Sequence, residues 1–246
     1  MRINISLIDF KRIQRAGPEA ILMLRFAIAV NDLISGNYFL RTAKDLKANP
    51  KMREMGRGLS QFAIKIQIGH LCEALLLIRN SNDKVEPTLD TLPKLKRQIR
   101  SLSPRAQQSY RLLRRSLPGG RDHNKFKTYV ENFRNQVSFH YDAGYRGRGK
   151  LRDAPVAKDA LDRLAEESTP GRMVLGQDIN TCRFSFADDV MDTAVCRLIW
   201  GIDKKIAGED LQKAADKIAE WINIRAKSFV IFGGELCQHY FSQKQR

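Results

Sequence analysis

Apolar side chains recurring every three or four positions govern what this chain can fold into. The stretch PEAILMLRFAIAVNDLISGNYFLRTAKDL, opened by Gly17-Pro18-Glu19 and closed by Asn49-Pro50, keeps that helical spacing over about eight turns. A second stretch, roughly 51–80, repeats the pattern after a short connection, so the two helices are expected to pack antiparallel. SNDKVEP reads as a polar loop, and two shorter basic helices are predicted near 88–101 and 104–117, split at Ser103-Pro104. LPGGRD is a strong break. Beyond it the spacing predicts helices over about 122–142, starting at an Asp122 or Asn124 cap, over 155–168, and from Asp188 to about 202. A long final helix follows, with a possible kink at Gly233-Gly234. The strand-prone pieces around Asp178-Ile179-Asn180 allow at most one small β-hairpin, near 171–186. The fold class is therefore all-α, a helical bundle built on a long antiparallel pair. Residues 1–150 are read as the bundle and 151–246 as a helical extension packed on the same domain.

With 246 residues and 43% apolar side chains the chain can bury a sizeable core. No run approaches the roughly 20 apolar residues of a membrane span, and the N-terminus lacks the apolar stretch of a secretory signal, so a cytoplasmic protein without membrane contact is expected. The four cysteines are scattered, and reduced, mostly buried thiols are expected. His70 and Cys72, with Cys237 and His239, supply enough soft and imidazole ligands for a tetrahedral zinc. Each pair, however, falls at i and i+2 of a predicted helix, about 200° apart, and neither metal nor cofactor is expected.

Charge is uneven. The net +16 is concentrated in residues 94–152, which carry 16 basic against 3 acidic side chains. A charge needed only for solubility would be spread out; one gathered into a quarter of the chain points to a polyanion, nucleic acid before anionic lipid. A solvated basic face is the plainer alternative.

ENFRNQVSFHYD, residues 131–142, sits inside that basic quarter. A guanidinium at Arg134 offers planar, permanently charged, bidentate recognition of phosphate oxygens. His140 offers the side chain that takes and gives protons near neutrality. Together they suit metal-free RNA cleavage, in which a base removes the 2′-OH proton, the 2′-oxygen attacks the adjacent phosphorus, and a cation stabilises the phosphoryl oxygens. On one ideal helix the two residues lie about 120° apart and about 9 Å along the axis. Either the helix is distorted near Ser138-Phe139, or a second copy contributes its own pair across a two-fold axis. A competing reading makes Glu131 and Arg134 a surface ion pair and His140 a packed histidine on the stripe of Phe133 and Val137.

Arg134-Asn135, the five residues between Arg134 and His140, and the closing Tyr141-Asp142 resemble the signature of the HEPN superfamily (higher eukaryotes and prokaryotes nucleotide-binding domains). The resemblance implies a bundle of mainly four or five helices, and a homodimeric, metal-independent ribonuclease of the toxin–antitoxin or phage-defence kind, with an antitoxin or regulatory protein as a possible partner. By matching position, Arg134 would hold the scissile phosphate, His140 would act as acid/base, and Asn135 would orient the site. Tyr141 and Asp142 would support the histidine. Members paired with nucleotidyltransferase antitoxins carry a tyrosine two positions past the histidine; here that position is Asp142. Arg146, Arg148, Lys150 and Arg152, alternating with glycine, read as an RNA-gripping loop or a solvated linker. Arg111, Arg114 and Arg115 would add sequence-independent RNA affinity. The expected function is an RNA endonuclease giving 2′,3′-cyclic phosphate and 5′-hydroxyl ends, its rival a non-catalytic RNA-binding or nucleotide-sensing module. No Walker loop, GxGxxG, GxSxG or HExxH sequence occurs. Trp200 and Trp221 lie in apolar stripes and are expected in the core.

Overall fold

The computed structural model describes residues 17–79, 87–134, 162–166, 193, 196, 200–202 and 208–244. All of the regular structure among them is helical, with no strand; the fold is all-α. Helix α1 is Pro18–Ala48 and α2 is Arg53–Ile78, joined by a 3-10 turn at Pro50–Met52. Asn49 ends the first helix and caps the turn, its side chain accepting from the Lys51 N–H at 3.0 Å. A short α3, Pro93–Gln98, is flanked by 3-10 turns, and α4 is Pro104–Arg114. Ser103 stops the one and starts the other: its hydroxyl accepts from the Ala106 N–H at 3.2 Å, and Pro104 occupies the first helical position, where no N–H is needed. Helix α5, His123–Phe126, widens into a π-helical turn at Lys127–Glu131. The last helix, α6, runs unbroken from Gly208 to Lys244. The sequence-predicted hairpin near 171–186 lies outside the described residues.

The chain divides into two compact units. The first takes the described parts of Met1–Ile34, His70–His123 and Ile224–Arg246. Its core is aromatic: Phe26 stacks on Phe229 at 5.3 Å and 13°, and meets Phe232 edge-on at 6.1 Å. Tyr110 of α4 closes on Phe232 at 4.9 Å. Leu22, Leu71, Leu75, Ile78, Leu95, Leu113 and Leu236 are buried around them. Burying each of these side chains contributes about 1.5–3 kcal/mol. Gly233 lets α6 approach α1 closely, since a Cβ there would meet Val30 at 3.1 Å. The Ser103 hydroxyl and Glu235 carboxylate, 2.7 Å apart, tie the start of α4 to α6.

The second unit takes Ser35–Gly69 and the described parts of Asn124–Asn223. Here α1 and α2 run antiparallel, as their short connection requires. Gly36 faces Gln67, and Gly56 abuts the backbone of Ala43 and Lys47, the two pairings advancing in opposite directions along the chain. Phe39 and Phe62 meet at 6.1 Å. Phe126, Val130 and Phe133 are buried, and Tyr129 meets Trp221 edge-on at 5.7 Å.

Among the described residues, Pro50–Ile78 is one stretch long and apolar enough to cross a bilayer, with mean hydropathy 1.3; 56% of that window is buried within the protein. A core helix packed against an antiparallel partner, as this one is against α1, passes the same test of length and composition.

Candidate nucleic-acid site

The break LPGGRD is a built anchor. Gly119 adopts φ +82°, and a Cβ on Gly120 would fall 2.3 Å from the Arg115 carbonyl oxygen, so this turn closes only with two glycines. The Asp122 N–H donates to the Arg115 carbonyl at 2.8 Å. Arg225, 5% exposed, reaches in from α6: its Nε donates to the Ser116 hydroxyl at 3.2 Å and its guanidinium to Asp122 at 2.9 Å. Burial pushes the Arg225 pKa down, and the Asp122 charge and hydrogen bond oppose that. Asp122, one of the predicted helix caps, is thereby held by a buried cation. His123 Nδ1 sits 3.1 Å from the Ser116 carbonyl oxygen.

On the helix that follows, the backbone widens at Lys127–Glu131, three residues short of Arg134. The departure from α geometry lies upstream of the Ser138-Phe139 position predicted from sequence, which is outside the described residues. Arg134 is half-buried, with Nε sealed from solvent. Next to it, Phe133 is 1% exposed and packs on Trp200 with centroids 6.4 Å apart. Asn135, His140, Tyr141, Asp142, Arg146, Arg148, Lys150 and Arg152 also lie outside the described residues.

The predicted arginines of α4 separate into two kinds. Arg114 is drawn inward onto Asp90, which also holds Lys96 at 3.3 Å. Burial pushes the neighbouring Tyr110 hydroxyl upward in pKa; the Arg114 charge opposes that and the Asp90 charge adds to it. Arg111 and Arg115 remain exposed. Sequence reading missed their companions: Lys94, Arg97, Arg100 and Arg105 are exposed as well, and no carboxylate occurs between Asp90 and Asp122. That acid-free stretch was the available signal.

The second unit carries a half-open cavity of about 230 Å³. Leu40, Ile64, Ile68 and Ile222 form apolar walls, and Trp200 adds its ring. Three polar side chains join them: Gln67 from α2, and Glu220 and Asn223 from α6. The Trp200 N–H donates to the Tyr129 carbonyl at 3.3 Å, so the indole offers the cavity apolar surface only. Trp200, expected simply as core, is half-buried.

The four residues considered for zinc have other engagements. His70 Nδ1 lies 3.3 Å from the Asp32 carboxylate. The Cys237 thiol, pushed up to about 12 in pKa by burial, donates to the Met23 carbonyl at 3.4 Å. Cys72 is buried, and His239 Nε2 is 2.8 Å from the Gln243 amide nitrogen. No group of three or more His, Cys, Asp or Glu side chains among the described residues is placed to hold a metal ion.

No family model matches this chain, and neither a curated protein nor a solved structure does.

Proposed function

We propose that this chain is an RNA-binding protein and a metal-independent endoribonuclease of HEPN type, working as a homodimer, with Arg134 and His140 as its principal catalytic pair and Asn135 orienting them. The observation that carries the RNA half is the run of exposed cations from Lys94 to Arg115 with no acid between Asp90 and Asp122. Such a surface attracts phosphates without regard to sequence. The catalytic half rests on the Arg134-Asn135…His140 motif, and the widened turn just before Arg134 supports it, since π turns interrupt α-helices often at functional sites. His140 would take the 2′-OH proton while Arg134 stabilises the phosphoryl oxygens.

A second reading, a non-catalytic RNA-binding module, is favoured by one observation: Arg134 Nε is sealed from solvent, as in an arginine serving the core. Cleavage of an end-labelled structured RNA in excess EDTA separates the two. The ribonuclease predicts products ending in 2′,3′-cyclic phosphate, lost at least about a hundredfold in folded His140→Ala and Arg134→Ala proteins. Tight, salt-sensitive binding without cutting by the unaltered chain would select the binding module.

A further inference from the structure

We infer that the cavity of the second unit is a recognition site for a nucleobase, guanine by preference. Gln67 is 4% exposed and lines the cavity, yet among the described residues its carboxamide has no hydrogen-bond partner. Asn223, on the facing helix, has its side-chain oxygen sealed from solvent and likewise unbonded. A sealed amide oxygen left unpaired costs about 1–3 kcal/mol, so Asn223 beside this cavity calls for an occupant that brings a donor, and the Gln67 carboxamide is there to meet its other polar groups.

The cavity states what that occupant is. At about 230 Å³ it falls below the roughly 300–1,000 Å³ of sites for drug-sized ligands, which suits a single ring system. The aliphatic walls and the Trp200 ring suit a flat, apolar-faced group. A fatty chain would leave both amides unpaired. Glu220, exposed at the cavity, repels a phosphate or carboxylate and accepts from N–H groups. Guanine presents two adjacent donors, its ring N–H and exocyclic amine, to a carboxylate in the paired geometry that a guanidinium uses. Its carbonyl oxygen accepts from an amide N–H, which Gln67 supplies, and Asn223 meets a further ring-edge group. Adenine has the amine without the adjoining ring N–H, and a pyrimidine fills less of the space. The cavity stands on its own residues and does not require the chain to cut RNA. Should it do so, the cavity would hold a base of the bound strand, because Trp200 packs on Phe133, the neighbour of Arg134.

The sequence holds two tryptophans, so Trp221→Phe leaves Trp200 as the sole emitter. Guanosine titrated into that protein should quench its fluorescence saturably, about tenfold more tightly than adenosine and more again than uridine. The Trp200 indole N–H resonance of the unaltered protein gives the same readout without the substitution. Glu220→Gln should weaken guanosine about tenfold at an unchanged melting temperature. Gln67→Leu should abolish binding with the melting temperature unchanged or raised, because an apolar side chain of similar size relieves an unpaired amide. Absence of saturable binding by any of the three nucleosides overturns the inference. So does Gln67→Leu protein that melts lower while still binding guanosine, which would make the amide structural. The RNA cleavage assay with His140→Ala is separate: a chain that cuts RNA and ignores guanosine keeps the ribonuclease and loses the base site, and the reverse result does the opposite.

Discussion

Arg225 shows how one residue holds a loop in place. It is 5% exposed and its carboxylate partner, Asp122, has a side chain 16% exposed, so neither charge is well hydrated. Asp122→Ala leaves that guanidinium buried without its countercharge, and an equilibrium urea denaturation should register a loss of about 3–5 kcal/mol. Adding Arg225→Met to the same protein should restore most of it, because the stranded charge is then gone. Cys237 supports a pH prediction. Its thiol is held at about 12 when folded, against about 8.5 in an unfolded chain. The folded value is the higher one, so the stability is intact below the unfolded pKa and declines as pH rises from about 8.5 toward 12. Burial raises Tyr240 and Tyr110 too, adding to the decline at higher pH. Stability measured by urea across this alkaline range should therefore fall less steeply in Cys237→Ala than in the unaltered chain.

At the scale of the element, the paired glycines of α6 have opposite roles. A Cβ on Gly233 would meet Val30 at 3.1 Å and the rings of Phe26 and Phe229 at 3.3 Å, all parts of a packed core. Gly234 has nothing within 4 Å of that position. Alanine gains about 1 kcal/mol over glycine inside a helix, whereas overpacking a core costs about 1–3 kcal/mol. Gly234→Ala should therefore raise the melting temperature and Gly233→Ala should leave it unchanged or lower it, which differential scanning calorimetry will resolve. The sequence flagged the pair as a possible kink. The helix instead runs unbroken, and at Gly233 the missing side chain makes room for α1. Breaks at Asn49-Pro50 and Ser103-Pro104, by contrast, were legible to the residue, because capping and the missing proline N–H act within one turn.

At the scale of the whole molecule, the proposed RNA binding would draw on the net charge of +16. Each phosphate contact contributes about 0.7 to the slope of log affinity against log salt for a single strand. Replacing Arg105, Arg111 and Arg115 together by glutamine should lower that slope by about 2 in a filter-binding or anisotropy series, uniformly across RNA sequences. Arg114→Gln should act differently, costing stability by leaving the largely buried Asp90 carboxylate without its closest cation and altering the slope little, since the Arg114 charge is already neutralised within the protein.

Sequence alone determined the helical class, the antiparallel pairing of the two long helices, their end points and the basic quarter of the chain. Each follows from rules that operate over a turn or two: periodicity, capping, proline chemistry and the count of charges. It also singled out Arg134, whose surroundings were beyond its reach. Only the tertiary structure decided which charges are free, because Arg114 meets Asp90 and Arg225 meets Asp122 through separations of 24 and 103 positions. The same holds for Gln67 and Asn223. Along the chain each is one polar residue on an amphipathic helix, with nothing to distinguish it from a neighbour that faces water. Their meeting at one cavity depends on how α2 and α6 pack, and packing is set by every apolar side chain around them at once.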